Sequence, residues 1–307
     1  MSRRLTFASA LIAFAFTVNV FGCSSASGPT PTLHSGDAST QTKSLALGSW
    51  TTKADMPTGR IDLGCGQING IVYAVGGDAT RGPLNTVEAY DTVTNSWTTR
   101  ASMLTARDGL AVAAFNGTLY AIGGVGNTGY LKSVEAYDPA TDSWTEKAPM
   151  STGRAGFAVA VVNGIIYAIG GDGVGRVEAY NPTMNKWTRK APMPTFRWTF
   201  GAGVVDGIIY TAGGSHFGTL TTVEAYNPVT NSWSTEAPMK PKRTGLAGAG
   251  LQGRLYEIGG RSGNVLYNLI DAYDSATNTW SEKARMPSAR YGLCVAVGGG
   301  AIYAIGG

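Results

Sequence analysis

One set of spacings recurs six times along this chain, and it limits the fold more than anything else. Trp stands at positions 50, 97, 144, 187, 233 and 280, with a Met six residues after each and an Arg ten residues after each. Sixteen residues beyond each Arg (60, 107, 154, 197, 243 and 290) a Gly-Gly pair begins, at 76, 123, 170, 213, 259 and 306, and a Tyr sits three before each pair. A unit of about 47 residues is too small to bury its own apolar face, so such units stack on one another.

The second repeat shows what a unit contains. Leu110 to Phe115 is apolar, Asn116-Gly117 is a tight-turn signal, and Thr118 to Ile122 is apolar again, which together predict a hairpin. Gly123-Gly124 ends the second strand, a loop of variable length follows, and Val134 to Tyr137 predicts a third strand. Asp138-Pro139 turns the chain into a fourth strand centred on Trp144. The hairpin strands are apolar on both faces, so each small sheet needs cover on both sides. Sheets arranged radially about an axis meet that need. The expectation is an all-β, six-bladed propeller of four-stranded antiparallel blades, and the 43 Gly residues suit its turns. The repeated Trp and Tyr are read as packing between sheets.

These features resemble the kelch-repeat family. Its hallmarks are the Gly-Gly doublet, a Tyr-Asp or Tyr-Asn, and a Trp seven residues after that Tyr, here Tyr90–Trp97, Tyr137–Trp144, Tyr180–Trp187, Tyr226–Trp233 and Tyr273–Trp280. The resemblance runs from about Gly48 to Gly307. It implies four strands per blade and one blade per repeat. Trp50 has no Tyr-Asp strand before it, and no third strand follows Gly307. Kelch rings often close by pairing the two ends of the chain in one blade, so the Trp50 strand is expected as the outermost strand of an incomplete last blade. Either the chain is a truncated one or Lys43 to Leu47 stands in for the missing strand. A weak or gapped closure against Ala301 to Ile305 is expected.

Ahead of the repeats, residues 1–22 read as a lipoprotein signal peptide. Arg3 and Arg4 are basic, Leu5 to Phe21 is uncharged, and Val20-Phe21-Gly22-Cys23 resembles a bacterial lipobox in which Cys23 is lipidated. This reading is preferred to a plain secretory signal or a retained anchor. Residues 23–44 are Ser-, Thr-, Pro- and Gly-rich and read as a flexible tether, leaving 45–307 for the propeller. The expected location is the bacterial cell envelope, outside the membrane and tethered by lipid alone, at the outer membrane or cell surface. The formal net charge of +4 points to neither nucleic acid nor a polybasic membrane contact.

Catalytic chemistry has little to build on. The only histidines are His34, in the tether, and His216, in a loop, which leaves no His-based metal site and a poor basis for a Ser-His-Asp triad. The copper set of galactose oxidase, itself built on a kelch-like propeller, is missing. The glycine pairs lack the Lys and helix of a phosphate loop, and no spaced acidic set suggests calcium. No cofactor and no catalytic residue are assigned. Cys65 and Cys294 lie 11 and 12 residues before their Gly-Gly pairs, on opposite strand parities, and free buried thiols are preferred to a bridge. The six Arg residues could ring one channel mouth as an anion site, but their unbroken register favours a structural device.

Function is therefore sought where the repeat breaks its symmetry. In kelch domains the loops after Gly-Gly and the starts of the innermost strands form the face that commonly binds partners. Candidates on it are Asp62, Arg81, Tyr130, Arg176, Trp198, His216, Phe217, Arg261, Tyr267 and Tyr291, a mixture of aromatic, basic and polar groups that suits peptide or sugar recognition. The leading expectation is a monomeric, non-enzymatic envelope lipoprotein that binds a protein or glycan partner. The alternatives are a sugar mutarotase resembling N-acetylneuraminate epimerase and a passive scaffold module in an envelope assembly.

Overall fold

The computed structural model describes residues 17–21, 49–79 and 82–307, and of Thr17–Phe21 only the strand pairing. Cys23, the tether, the segment 43–47 and Arg81 lie outside the described residues. Blade one consists of Gly64–Ile68, Ile71–Val75, Val87–Asp91 and Ser96–Arg100, paired antiparallel in that order. Blade two repeats it with Ala111–Phe115, Thr118–Ile122, Val134–Asp138 and Ser143–Lys147. Blades three, four and five do the same, starting from Ala158–Val162, Gly201–Val205 and Thr244–Leu251. The expected hairpin turn is present, with φ of 48° at Asn116 and 75° at Gly117. That pair of left-handed residues matches the twist of the flanking strands, and Asn and Gly adopt it at least cost.

Five blades, not six, are completed by antiparallel strands. The sixth repeat contributes only the hairpin Cys294–Gly298 and Ala301–Ile305. Thr17–Phe21 then pairs parallel to Ala301–Ile305, and Trp50–Thr52 pairs parallel to Thr17–Phe21. The Trp50 strand is outermost, as expected, but the gap beside Ala301–Ile305 is filled from within the segment read as a leader. Trp50 still makes the contact of its counterparts. Its Nε1 donates to Ala284 O at 2.8 Å, as Trp97 Nε1 does to Ala54 O at 2.9 Å and Trp144 Nε1 to Ala101 O at 2.9 Å.

The innermost strands touch in a closed cycle, from Gly64–Ile68 through blades two to five to Cys294–Gly298 and back. Because stacking about an axis is rotational, the front of each blade lies on the back of the next. Facing residues therefore come from opposite strand parities. One core cluster joins Cys65, Val72 and Ala74 of blade one to Cys294, Ala296 and Tyr303 of the last hairpin. The expectation of free thiols is corrected by this geometry: Cys65 and Cys294 are disulfide-bonded, with Cα atoms 5.8 Å apart. Opposite parity, taken as an argument against a bridge, is what rotational stacking requires.

The repeated Arg residues are structural, and they act within their own blade rather than across to a neighbour. Arg107 donates to Gly123 O at 3.0 Å, to Ser133 O at 3.2 Å and to the Glu135 carboxylate. Arg60–Glu88 (2.7 Å), Arg154–Glu178, Arg197–Glu224 and Arg243–Asp271 repeat the pair, all with fully buried guanidinium groups. Burial lowers the pKa of Arg107, Arg154, Arg197 and Arg243 and the facing carboxylate opposes that shift, so each pair depends on both partners. Glu135→Ala should destabilise the fold by about 3–5 kcal/mol, because it strands a buried cation. The double change Arg107→Met with Glu135→Leu should cost less than the single one. Chemical denaturation of both variants measures the difference.

Candidate binding mouth of the central channel

The start of each innermost strand and the residue after each Gly-Gly pair meet on one face. Main-chain hydrogen bonds join Ile61 to Asp78 (3.0 and 2.8 Å), Asp108 to Val125 (3.0 and 2.7 Å) and Trp198 to Ser215 (3.1 and 3.0 Å). One residue further along each innermost strand the main chain forms a closed ring. Asp62 N–H donates to Gly292 O (2.7 Å), Gly292 to Gly245 (2.9 Å), Gly245 to Thr199 (2.8 Å), Thr199 to Gly156 (2.6 Å), Gly156 to Gly109 (2.9 Å) and Gly109 to Asp62 (2.8 Å). All six residues have positive φ, between 51° and 65°. Glycine takes that conformation without strain, whereas Asp62 and the β-branched Thr199 are held in it against preference. Backbone strain of this kind concentrates at functional sites.

Below the ring lies a cavity of about 170 Å³, with Asp62 at its edge and Leu63, Leu110, Phe157, Phe200 and Leu293 in its walls. A second cavity of about 320 Å³ continues the channel, lined by Gly66, Gln67, Ala114, Val161 and Val297 among others. The polar groups around the mouth are unevenly distributed. Asp62, Asp78 and Asp108, from blades one and two, interact electrostatically. The Asp62 carboxyl is pushed up to about 6, first by burial and then by the charges of Asp108 and Asp78, against the pull of Arg261. Burial, with Asp78, also raises Asp108. Three blades round the ring from Asp62, the His216 ring lies 4.0 Å from Phe196, 4.2 Å from Phe217 and 5.9 Å from Trp198, and Phe217 is 100% exposed. Between these two sectors the Arg261 guanidinium lies over the Tyr291 ring at 4.6 Å.

Such a mouth offers an apolar floor, an acidic arc, an aromatic platform and the Arg261 cation. Residues 2–171 match the KLHDC2/KLHL20/DRC7 kelch-repeats domain, and residues 153–194, 199–240 and 242–287 each match the kelch motif. The chain belongs to the kelch-repeat family. An F-box/kelch-repeat protein of Arabidopsis thaliana is 43% identical to it over 49 residues, which make up 16% of this chain and 13% of that protein. The solved structure of YjhT superposes with a TM-score of 0.71 at 17% identity, covering 80% of this chain and 90% of that one. At that identity the likeness concerns the fold alone.

Within this kelch ring the sequence candidates separate into groups. Trp198, His216 and Phe217 come together, Arg261 meets Tyr291, and Asp62 borders the cavity. Tyr130 is exposed on a small hairpin of its own, with Gly129–Tyr130 against Val125–Gly126. Arg176 is turned aside, ion-paired with Asp172 at 3.2 Å and donating to Thr152 Oγ1. Tyr267 is half-buried, and its main chain bonds Gly260 O and Arg290 N–H. Asp62 also differs in register from Trp198 and Tyr291. It stands two residues after its Arg, in the hydrogen-bonded ring, while they stand one residue after theirs. Asp108, Thr199, Phe196 and Thr244, whose hydroxyl lies 2.6 Å from that of Thr199, were missed. Asp108 directly follows an invariant Arg, at a position occupied by Ile, Ala, Trp, Thr and Tyr in the other repeats. That variability is the signal that would have found it.

The raised Asp62 pKa has a definite stability consequence. The folded chain holds this proton more tightly than the unfolded one, so its contribution is complete below about pH 4 and is lost as pH rises through about 6. Glu257 is fully buried, and burial also raises its pKa, so it acts in the same direction. Comparison with Asp62→Asn isolates the Asp62 share. The variant should show a shallower fall in stability between pH 4 and pH 7, measured by denaturant titration.

Proposed function

We propose that this kelch propeller is a non-enzymatic binding module that captures a protein or glycan partner at the Asp62–Trp198–Arg261 mouth. The observation that carries this reading is the break in symmetry. The repeated Arg, Tyr, Trp and Gly-Gly residues serve the blades, while among the described residues the acidic arc, the aromatic cluster and the Arg261–Tyr291 pair each occur once. A fully exposed Phe217 beside Trp198 and His216 is the kind of aromatic anchor that partners bury. In this reading the ring comprises six blade positions, the last closed by the Trp50 strand. Export, removal of residues 1–22 and lipidation of Cys23 would place the mouth outside the membrane at the cell envelope. Loss of that leader would also remove Thr17–Phe21 from the closing sheet.

A glycan array combined with capture from envelope extract tests the binding reading. Trp198→Ala with Phe217→Ala, and separately Asp108→Asn, should each weaken capture by about tenfold or more. Met184→Ser, at an exposed turn on the opposite face, should leave capture unchanged. Equal capture by the wild type and both mouth variants would exclude this face. Lipidation has its own readout: Cys23→Ser should abolish incorporation of a labelled fatty acid and release the chain from the membrane fraction.

A second reading rests on Asp62, a carboxyl whose pKa burial pushes up to about 6, beside a cavity and an arginine. This combination suits proton transfer in sugar mutarotation, the reaction of the epimerase-like kelch proteins. Anomerisation of sialic acid followed by NMR separates the two readings. A rate above buffer that Asp62→Asn removes would favour the enzyme.

A further inference from the structure

We propose that the Cys65–Cys294 disulfide is a redox-sensitive clasp that keeps the channel mouth assembled at the one seam joining opposite ends of the chain. At every other seam the outer strand of one blade runs directly into the inner strand of the next. Here the two inner strands belong to residues 229 apart. The closing sheet is also held differently, since its outer strands are parallel and come from elsewhere. Main-chain contacts at this seam are uneven. Asp62 N–H to Gly292 O is short at 2.7 Å, but Gly307 N–H to Arg60 O is 3.4 Å. The equivalent bonds at the other five seams, from Gly77, Gly124, Gly171, Gly214 and Gly260, measure 2.9, 2.8, 3.2, 2.8 and 2.7 Å. A covalent tie is thus placed at the seam with the longest of the six repeated glycine-to-arginine bonds.

The position of the bond links it to the mouth. Cys65 and Cys294 are only 8% and 9% exposed, yet both line the cavity beneath the ring. A small dithiol entering the channel would reach the bond without unfolding the blades. Thiol–disulfide exchange would pass two electrons and two protons from the dithiol to the two sulfurs. The S–S bond breaks, Cys65 and Cys294 become thiols, and the dithiol leaves as a cyclic disulfide. With the clasp open, the seam is held by non-covalent contacts alone, among them Asp62 N–H to Gly292 O, and Asp62 on one side is freed to part from Tyr291 and Gly292 on the other. Oxidising surroundings would therefore keep the mouth formed and reducing ones would open it.

Amide hydrogen exchange with and without dithiothreitol tests this proposal independently of any ligand. On reduction the Asp62 and Gly307 amides should exchange faster by about tenfold or more, while Gly156 and Thr199, on the far side of the same ring, keep their protection. Cys65→Ala with Cys294→Ala should show the reduced pattern without reductant and no response to it. If the double variant does not fold, the reductant titration of the wild type decides. Two free thiols in the oxidised native chain, an unchanged Asp62 amide after complete reduction, or an equal rise at all ring amides would each overturn the proposal.

Discussion

The buried arginine of each repeat holds a blade together as one body. Arg107 bonds the carbonyl of Gly123 at the end of the second strand, the carbonyl of Ser133 before the third, and the carboxylate of Glu135 within it. One side chain thus ties the start of the inner strand to the rim of its own sheet. The Gly-Gly turn can then lie against the next blade, where Gly124 N–H meets Arg154 O at 2.8 Å. A charge in that position is tolerable only because its carboxylate is buried with it. The same arrangement leaves none of the paired guanidinium groups for a ligand, so the positive ring suggested by the sequence does not form a binding surface.

Once the blades are rigid and stacked, the mouth inherits whatever the repeats do not share. Asp108, Trp198, Thr244 and Tyr291 directly follow arginines that occupy equivalent places, and Asp62 stands one residue further on, so they gather on a common rim although their chemistry differs. This is how a repeated scaffold supports a single asymmetric site. The hydrogen-bonded ring of main-chain groups sets the rim, and at two of its six positions a strained Asp or Thr replaces the unstrained glycine.

Much of this was legible from spacing. The hairpin over residues 110–122, the third strand at Val134 and the outer strand at Trp144 lie within a residue or so of their expected places, because turn chemistry and apolar runs act locally. An acidic residue facing each of five arginines was also present in the text, at the second position of the third strand, four times Glu and once Asp, but its partner is 24 to 28 residues away and spacing alone did not connect them. Arg176 and Tyr267 illustrate the reverse case. They occupy the expected loops, yet Asp172 draws Arg176 aside, and the local path of the chain keeps Tyr267 from the mouth.

By itself the sequence determined the repeat, the four-stranded unit and the face on which variation accumulates, since these follow from local preferences copied along the chain. Tertiary structure alone decided which variable residues meet, how the ends of the chain close, and that Cys65 bonds Cys294. The physical reason is rotation about the channel axis. It brings the front of one sheet onto the back of the next and joins residues 229 apart, a relation that no local periodicity encodes.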